Sequence, residues 1–160
     1  MHAMEERASR LELVAKFWQQ GLLVGCMQAV LRSKDICLAA DMLQKLTEGS
    51  TPTKYTVDMC PPACSVLYAC LRCHSEPVVR AALSFCLLIL EGFGRNIAQL
   101  RGAPQDRRDL HADQRRHRYE EARLAFVSLR DSLKATCQQP LPPYLVQQAQ
   151  RALQLVEAMQ

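Results

Sequence analysis

Cys60, Cys64, Cys70, Cys73 and His74 form the cluster in this sequence that most suggests chemistry. Thiolates and imidazoles at short spacing are the ligand set of a zinc site. Helical geometry opposes that reading. Pro61-Pro62 fits the first turn of a helix, where proline is tolerated. On one helix Cys60 and Cys70 stand about 15 Å apart along the axis, too far for one tetrahedral ion. Cys70 and Cys73 can share a face but need two further ligands from elsewhere. The expectation is no metal, no cofactor, and thiols packed as small apolar groups.

Catalytic signatures are also missing from the chain. It has no GxGxxG, Walker, GxSxG or HExxH pattern. His2, His74, His111 and His117 are not set beside a nucleophile by any motif. An unrecognised cysteine nucleophile is the enzymatic alternative. The chain reads as a non-enzyme.

The second constellation is cationic. Between Arg101 and Lys134 the cations outnumber the anions. Arg115-Arg116-His117-Arg118 has only Asp113 and Glu120 close by, and Arg107 and Arg108 precede it. A solvated helix face laced with local ion pairs is one reading. A surface for an acidic polymer is the other. Tyr119 is the one interleaved aromatic, which makes nucleic acid the weaker partner.

These residues need helices to position them. The chain has 160 residues, 49% apolar, with a formal charge of +4. That suits one all-α domain. Leu11, Val14 and Trp18 share a face, Trp18 being expected in the core, and Gly21 interrupts them. Val24, Met27 and Leu31 mark a second helix. Asp35 caps a third, with Ile36, Ala39, Leu43 and Leu46 inward. Gly49 to Pro52 stops it. A fourth helix follows Pro61-Pro62 to about Cys73. Ser75-Glu76-Pro77 opens the fifth and longest, which ends at Gly102-Ala103-Pro104. Its run Ala81–Leu90 is apolar around most of its circumference, so Leu87 and Leu88 are expected inside a central helix. The run is about half a bilayer span, and no membrane role is expected. A sixth helix carries Ala122, Phe126, Leu129 and Leu133. Gln138 to Pro143 is a stiff linker to a final helix with Leu145, Ala149, Ala152, Val156 and Met159. The expectation is about seven helices in an antiparallel array or irregular bundle, spanning 10–160 after a flexible N-terminus, 1–9. No apolar leader opens the chain, so a soluble protein in the cytoplasm is expected.

Several of these segments resemble one family in order. Arg10 to Gly21, Ala29 to Asp35 and Ala40-Asp41-Met42-Leu43 are similar to the conserved C-terminal domain of the regulatory, WD-repeat-bearing subunit of katanin. Trp18 with Gly21, Asp35, and Asp41 with Leu43 occupy that family's characteristic places. Val57-Asp58-Met59-Cys60 matches its Leu-Asp-Leu-Cys segment. The long helix near Phe93, the stretch Asp109 to Arg118 and the leucine-rich last helix follow. Pro61-Pro62, the cysteine content from 60 to 86 and the missing propeller depart from it. The departure implies a stand-alone relative or an excised domain.

The resemblance implies a regulatory module that binds the N-terminal helical domain of katanin's catalytic AAA ATPase subunit. It further implies microtubule binding, with Arg107, Arg108, Arg115, Arg116 and Arg118 facing acidic tubulin tails. Location at the cytoskeleton, including spindle or centrosome, follows from it. The residues contacting the ATPase are left open. A generic helical adaptor, taking an unrelated peptide or helix in an apolar groove, is the alternative.

Overall fold

Helix boundaries fall where the local chemistry places them. The computed structural model describes residues 2–49, 55–102 and 109–160. Helix α1 (His2–Gln19) is followed by α2 (Leu23–Ser33) and α3 (Ile36–Thr47). Gly21 takes a positive φ of 71°. Its N–H donates to Trp18 O and that of Leu22 to Phe17 O, both at 3.0 Å. These two bonds satisfy the last carbonyls of α1 and turn the chain back. Lys34 ends α2 at φ 55°, a left-handed position that a side chain rarely takes. Asp35 then caps α3, its carboxylate accepting from Leu38 N at 3.1 Å. Gly49 closes α3 at φ 74°.

A single 3-10 turn, Val57–Met59, leads into α4 (Cys60–Leu71), with proline in its first turn as expected. Helix α5 (Glu76–Gly102) is the longest. The expected sixth helix is two: α6 (Leu110–Val127) and α7 (Arg130–Cys137), broken at Ser128-Leu129. Asp109 caps α6, accepting from His111 N at 2.9 Å and Ala112 N at 3.2 Å. Helix α8 (Pro143–Glu157) completes an all-α fold, with no strand among the described residues. Residues 2–9, expected as a flexible terminus, are helical in α1, and all of them are exposed.

The centre belongs to α4 as much as to α5. Helix α4 packs against α2, α3, α5, α6 and α7. Cys60, Ala63, Cys64, Val66, Leu67, Cys70 and Leu71 are all buried on it. Helix α5 lies against α3, α4, α6 and α8. It buries Ala82, Leu83, Phe85, Cys86, Ile89 and Leu90, but Leu87 is only half-buried and Leu88 is 39% exposed. The expectation that both leucines lie inside is corrected, because one stripe of α5 faces solvent. Tyr55 seals the α3–α5 edge. Its ring meets Phe85 edge-on with centroids 6.2 Å apart, and its hydroxyl donates to Leu46 O.

Pairing along α8 is parallel to α5. Tyr144 lies beside Arg80, Arg151 binds Glu91 at 3.0 Å, and Arg101 binds Met159 O at 2.8 Å. Helix α7 runs antiparallel to α8, since Arg130 reaches Gln160 Oε1 at 3.3 Å. The run Ala81–Leu90 understates α5. The span Glu76–Arg101 is long and apolar enough to cross a bilayer on length and composition, and half of its most apolar 18-residue stretch is buried, as in a core helix.

Two outcomes follow from this packing. Leu83→Asp or Ile89→Asp should unfold the domain, since an unpaired buried charge costs about 3–5 kcal/mol, on the scale of total stability. Leu88→Asp should change stability by less than about 1 kcal/mol. Equal denaturation midpoints for Leu88→Asp and Ile89→Asp would contradict the arrangement.

The buried thiols give a pH dependence. Burial pushes Cys60, Cys70 and Cys86 up to about 12 and Cys26 up to about 11, from an ordinary 9.0. Cys64 is raised by burial and by its neighbours Cys86 and Cys60. A folded-state value above the unfolded one favours the fold below the unfolded value, and the benefit is lost as pH rises. Urea midpoints under reducing conditions should therefore fall between pH 9 and 12, over the window those values span. Cys86→Ala should flatten that decline relative to its own midpoint at pH 7.

Candidate functional site

Two exposed surfaces carry the residues singled out above. The first is the cationic part of α6. Each helical residue turns about 100° from the last, so Arg115 and Arg118 lie about 60° apart while Arg116 points well away from Arg118. The three arginines therefore do not form one face. Arg115 is exposed and makes no ion pair with a described residue. Arg118 is exposed and sits 3.6 Å from Asp58, tying α6 to the 3-10 turn. Arg116 is half-buried and lines a cleft with Ile97, Leu100, Arg101, Tyr119 and Glu120. His117 faces Glu121 at 3.3 Å. Arg107 and Arg108 lie outside the described residues.

Other cations from the same stretch serve the fold. Arg101 Nη1 donates to Met159 O at 2.8 Å and to Gln160 O at 2.6 Å. Arg123 Nη1 donates to Met159 O at 3.2 Å. With Arg130 on Gln160, three arginines from α5, α6 and α7 converge on the end of α8. The unpaired carbonyls and negative dipole end of a helix attract such donors. Arg123 also grips Glu120 with both Nε and Nη2, at 2.9 and 2.5 Å. That hydrogen bonding lowers the Glu120 carboxyl and raises the Arg123 guanidinium. Counting charges along the sequence could not separate these internal ties from the exposed cations.

The second surface is α1, which sequence reasoning assigned to the core through Trp18. Met4, Ala8, Leu11, Ala15 and Trp18 fall within an arc of about 80° on the helix. Met4 is 81% exposed, Leu11 is exposed, and Trp18 is only half-buried. Leu13 and Leu22 are exposed nearby. Val14 is the buried residue of α1. Between α1 and the start of α3 lies a cleft of about 580 Å³, lined by Arg7, Arg10, Leu11, Lys34, Ile36 and Leu38 among others. The only sequence signal for this surface is the seven-residue spacing of Met4, Leu11 and Trp18, which also fits a buried stripe.

The cysteine constellation is dispersed. Cys60, Cys64 and Cys70 point into the core from successive turns of α4, while Cys73 is half-buried and His74 is exposed. Among the described residues no three His, Cys, Asp or Glu side chains are grouped to hold a metal ion. The arrangement suits binding of a macromolecule through a surface.

Comparison with known proteins bears on the ordered segments. The family model for the con80 domain of katanin matches residues 1–155. The katanin p80 WD40 repeat-containing subunit B1 homolog KTN80.3 of Arabidopsis thaliana is 24% identical over 132 residues. That alignment covers 82% of this chain and 16% of the plant protein, so the chain corresponds to a small part of its relative. The Gly21 turn after Trp18, the Asp35 cap and the Val57–Met59 turn into α4 are the structural counterparts of the resemblance. With the match running from α1 into α8, the chain belongs to the katanin con80 domain family.

Proposed function

We propose that this con80 domain is a non-enzymatic regulatory module of a katanin-type microtubule-severing AAA ATPase. It binds the N-terminal helical domain of the ATPase and helps target it to microtubules, which places it at the cytoskeleton. The match across residues 1–155 is the observation that carries this reading. The exposed apolar stripe of α1 supports it, because a helical partner can lay an amphipathic face on such a stripe. The tubulin-facing residues in this reading are Arg107, Arg108, Arg115, Arg116 and Arg118. Arg115 and Arg118 are the accessible pair on α6, and Arg116 is a flanking contributor at the cleft.

The two interactions differ in physics and can be separated. Association with the ATPase domain is mainly apolar and should change little with salt. Met4→Asp with Leu11→Asp should abolish co-purification of the ATPase N-terminal domain while leaving the melting temperature nearly unchanged, since both side chains are exposed. Capture of no katanin-type N-terminal domain by the parent chain would replace the proposal with a generic helical adaptor.

Microtubule attachment is mainly electrostatic. It should weaken steeply as salt shortens the Debye length from about 10 Å at 0.1 M to about 3 Å at 1 M. Arg115→Glu with Arg118→Glu should sharply reduce co-sedimentation with microtubules and spare the ATPase complex. Unreduced pelleting of that double variant would leave α6 as a solvated face only.

A further inference from the structure

Helix α1 packs on α2 and, among the described residues, makes no comparable contact with any other helix. It is 18 residues long, and Val14 is its buried residue, with Phe17 and Trp18 half-buried beside it. A helix of that length is marginal in water without packing. Polar contacts bring its exposed first half back to the α2–α3 corner. Arg7 Nε lies 3.1 Å from Asp35 Oδ2, and Arg10 Nη1 donates to Ser33 O at 3.2 Å. Arg7 is exposed, so solvent and salt screen its pair.

The junction with α2 is built for close approach and for bending. Gly21 adopts a conformation that glycine takes without strain. Phe17 packs against the bare backbone of Gly25, where an added Cβ would come 3.0 Å from its Cδ1 and 3.2 Å from its Cε1. Beneath α1 lies Cys26, with no exposed surface, its Sγ 3.9 Å from Val14 O and 3.7 Å from Met42 Sδ. Of these two contacts on the thiol, α1 supplies that of Val14 and α3 that of Met42. Cys64 and Cys86, by contrast, are enclosed by α4, α5 and their neighbours and do not depend on α1.

We propose that α1 is a hinged strap that opens as a unit about Gly21 while α2 to α8 remain folded. Arg7 and Arg10 act as its latch, and Phe17 on Gly25 is its seat. Closed, the strap presents the Met4–Trp18 stripe outward. Open, it releases Val14 and Phe17 and exposes Cys26. The inference concerns the free chain and stands whether or not the ATPase domain is the partner.

Thiol alkylation of the whole chain under native, reducing-agent-free conditions tests it, with each cysteine resolved by peptide mass spectrometry. After the exposed Cys37 and the half-buried Cys73 and Cys137, Cys26 should react at least roughly tenfold faster than Cys64 and Cys86, as expected of a sub-global opening. Low urea should accelerate Cys26 little and Cys86 steeply, because the slope follows the surface exposed on opening. Gly25→Ala, which displaces Phe17, and Arg7→Glu, which repels Asp35, should each raise the ratio of Cys26 to Cys86 labelling. Using the ratio removes any general loss of stability. Equal rates and equal urea slopes for Cys26 and Cys86, or a ratio unmoved by both variants, would show that α1 departs only when the whole domain unfolds.

Discussion

Everything in this fold leans on the enclosure of α4. A helix surrounded by five others has little room for long side chains, and away from Ser65 and Tyr68 it has no solvent to receive polar ones. Cysteine and alanine meet both demands, being small and tolerant of an apolar setting. That is why Cys60, Ala63, Cys64 and Cys70 line the inward faces of α4, and why Cys86 meets them from α5. The thiols that most suggested metal chemistry are the means by which several helices approach one axis. Their raised proton affinity is a by-product of the same enclosure.

Much of the architecture could be read from local signals. Asp35 as a cap, Gly21 and Gly49 as stops, and Pro61 in a first turn each mark a boundary through a bond or dihedral that depends on a few neighbouring residues. What could not be read was which apolar positions face outward. Leu88 and Leu83 are the same residue type on one helix, and only the placement of the neighbouring helices decides that one is exposed and the other buried. The same holds for α1, whose heptad-spaced stripe looks like a core stripe but lies on the surface at Met4 and Leu11, with Trp18 alone packed half-buried against the core.

Charge was legible in sum and not in assignment. Arg101, Arg123 and Arg130 contribute to the basic count between 101 and 134, yet they are committed to the end of α8. Arg118 is partly engaged by Asp58, from the distant turn before α4. These partners are remote in sequence, so no local pattern announces them. The family resemblance was legible because its marks are the local ones: a Trp followed by a turn glycine, a capping aspartate, a short turn into a helix.

The parallel pairing of α5 with α8 has a consequence during synthesis. Arg151 meets Glu91 across 60 residues of chain, and α6 and α7 must be made in between. A ribosome adding about 5–20 residues per second leaves the α8-facing side of α5 bare for several seconds. Over that interval the longest helix of the domain is an exposed surface of the kind that chaperones bind and that neighbouring nascent chains can stick to. The arginine clasp on the end of α8 closes that interval, because it can form only once the last turn of the helix has left the exit tunnel.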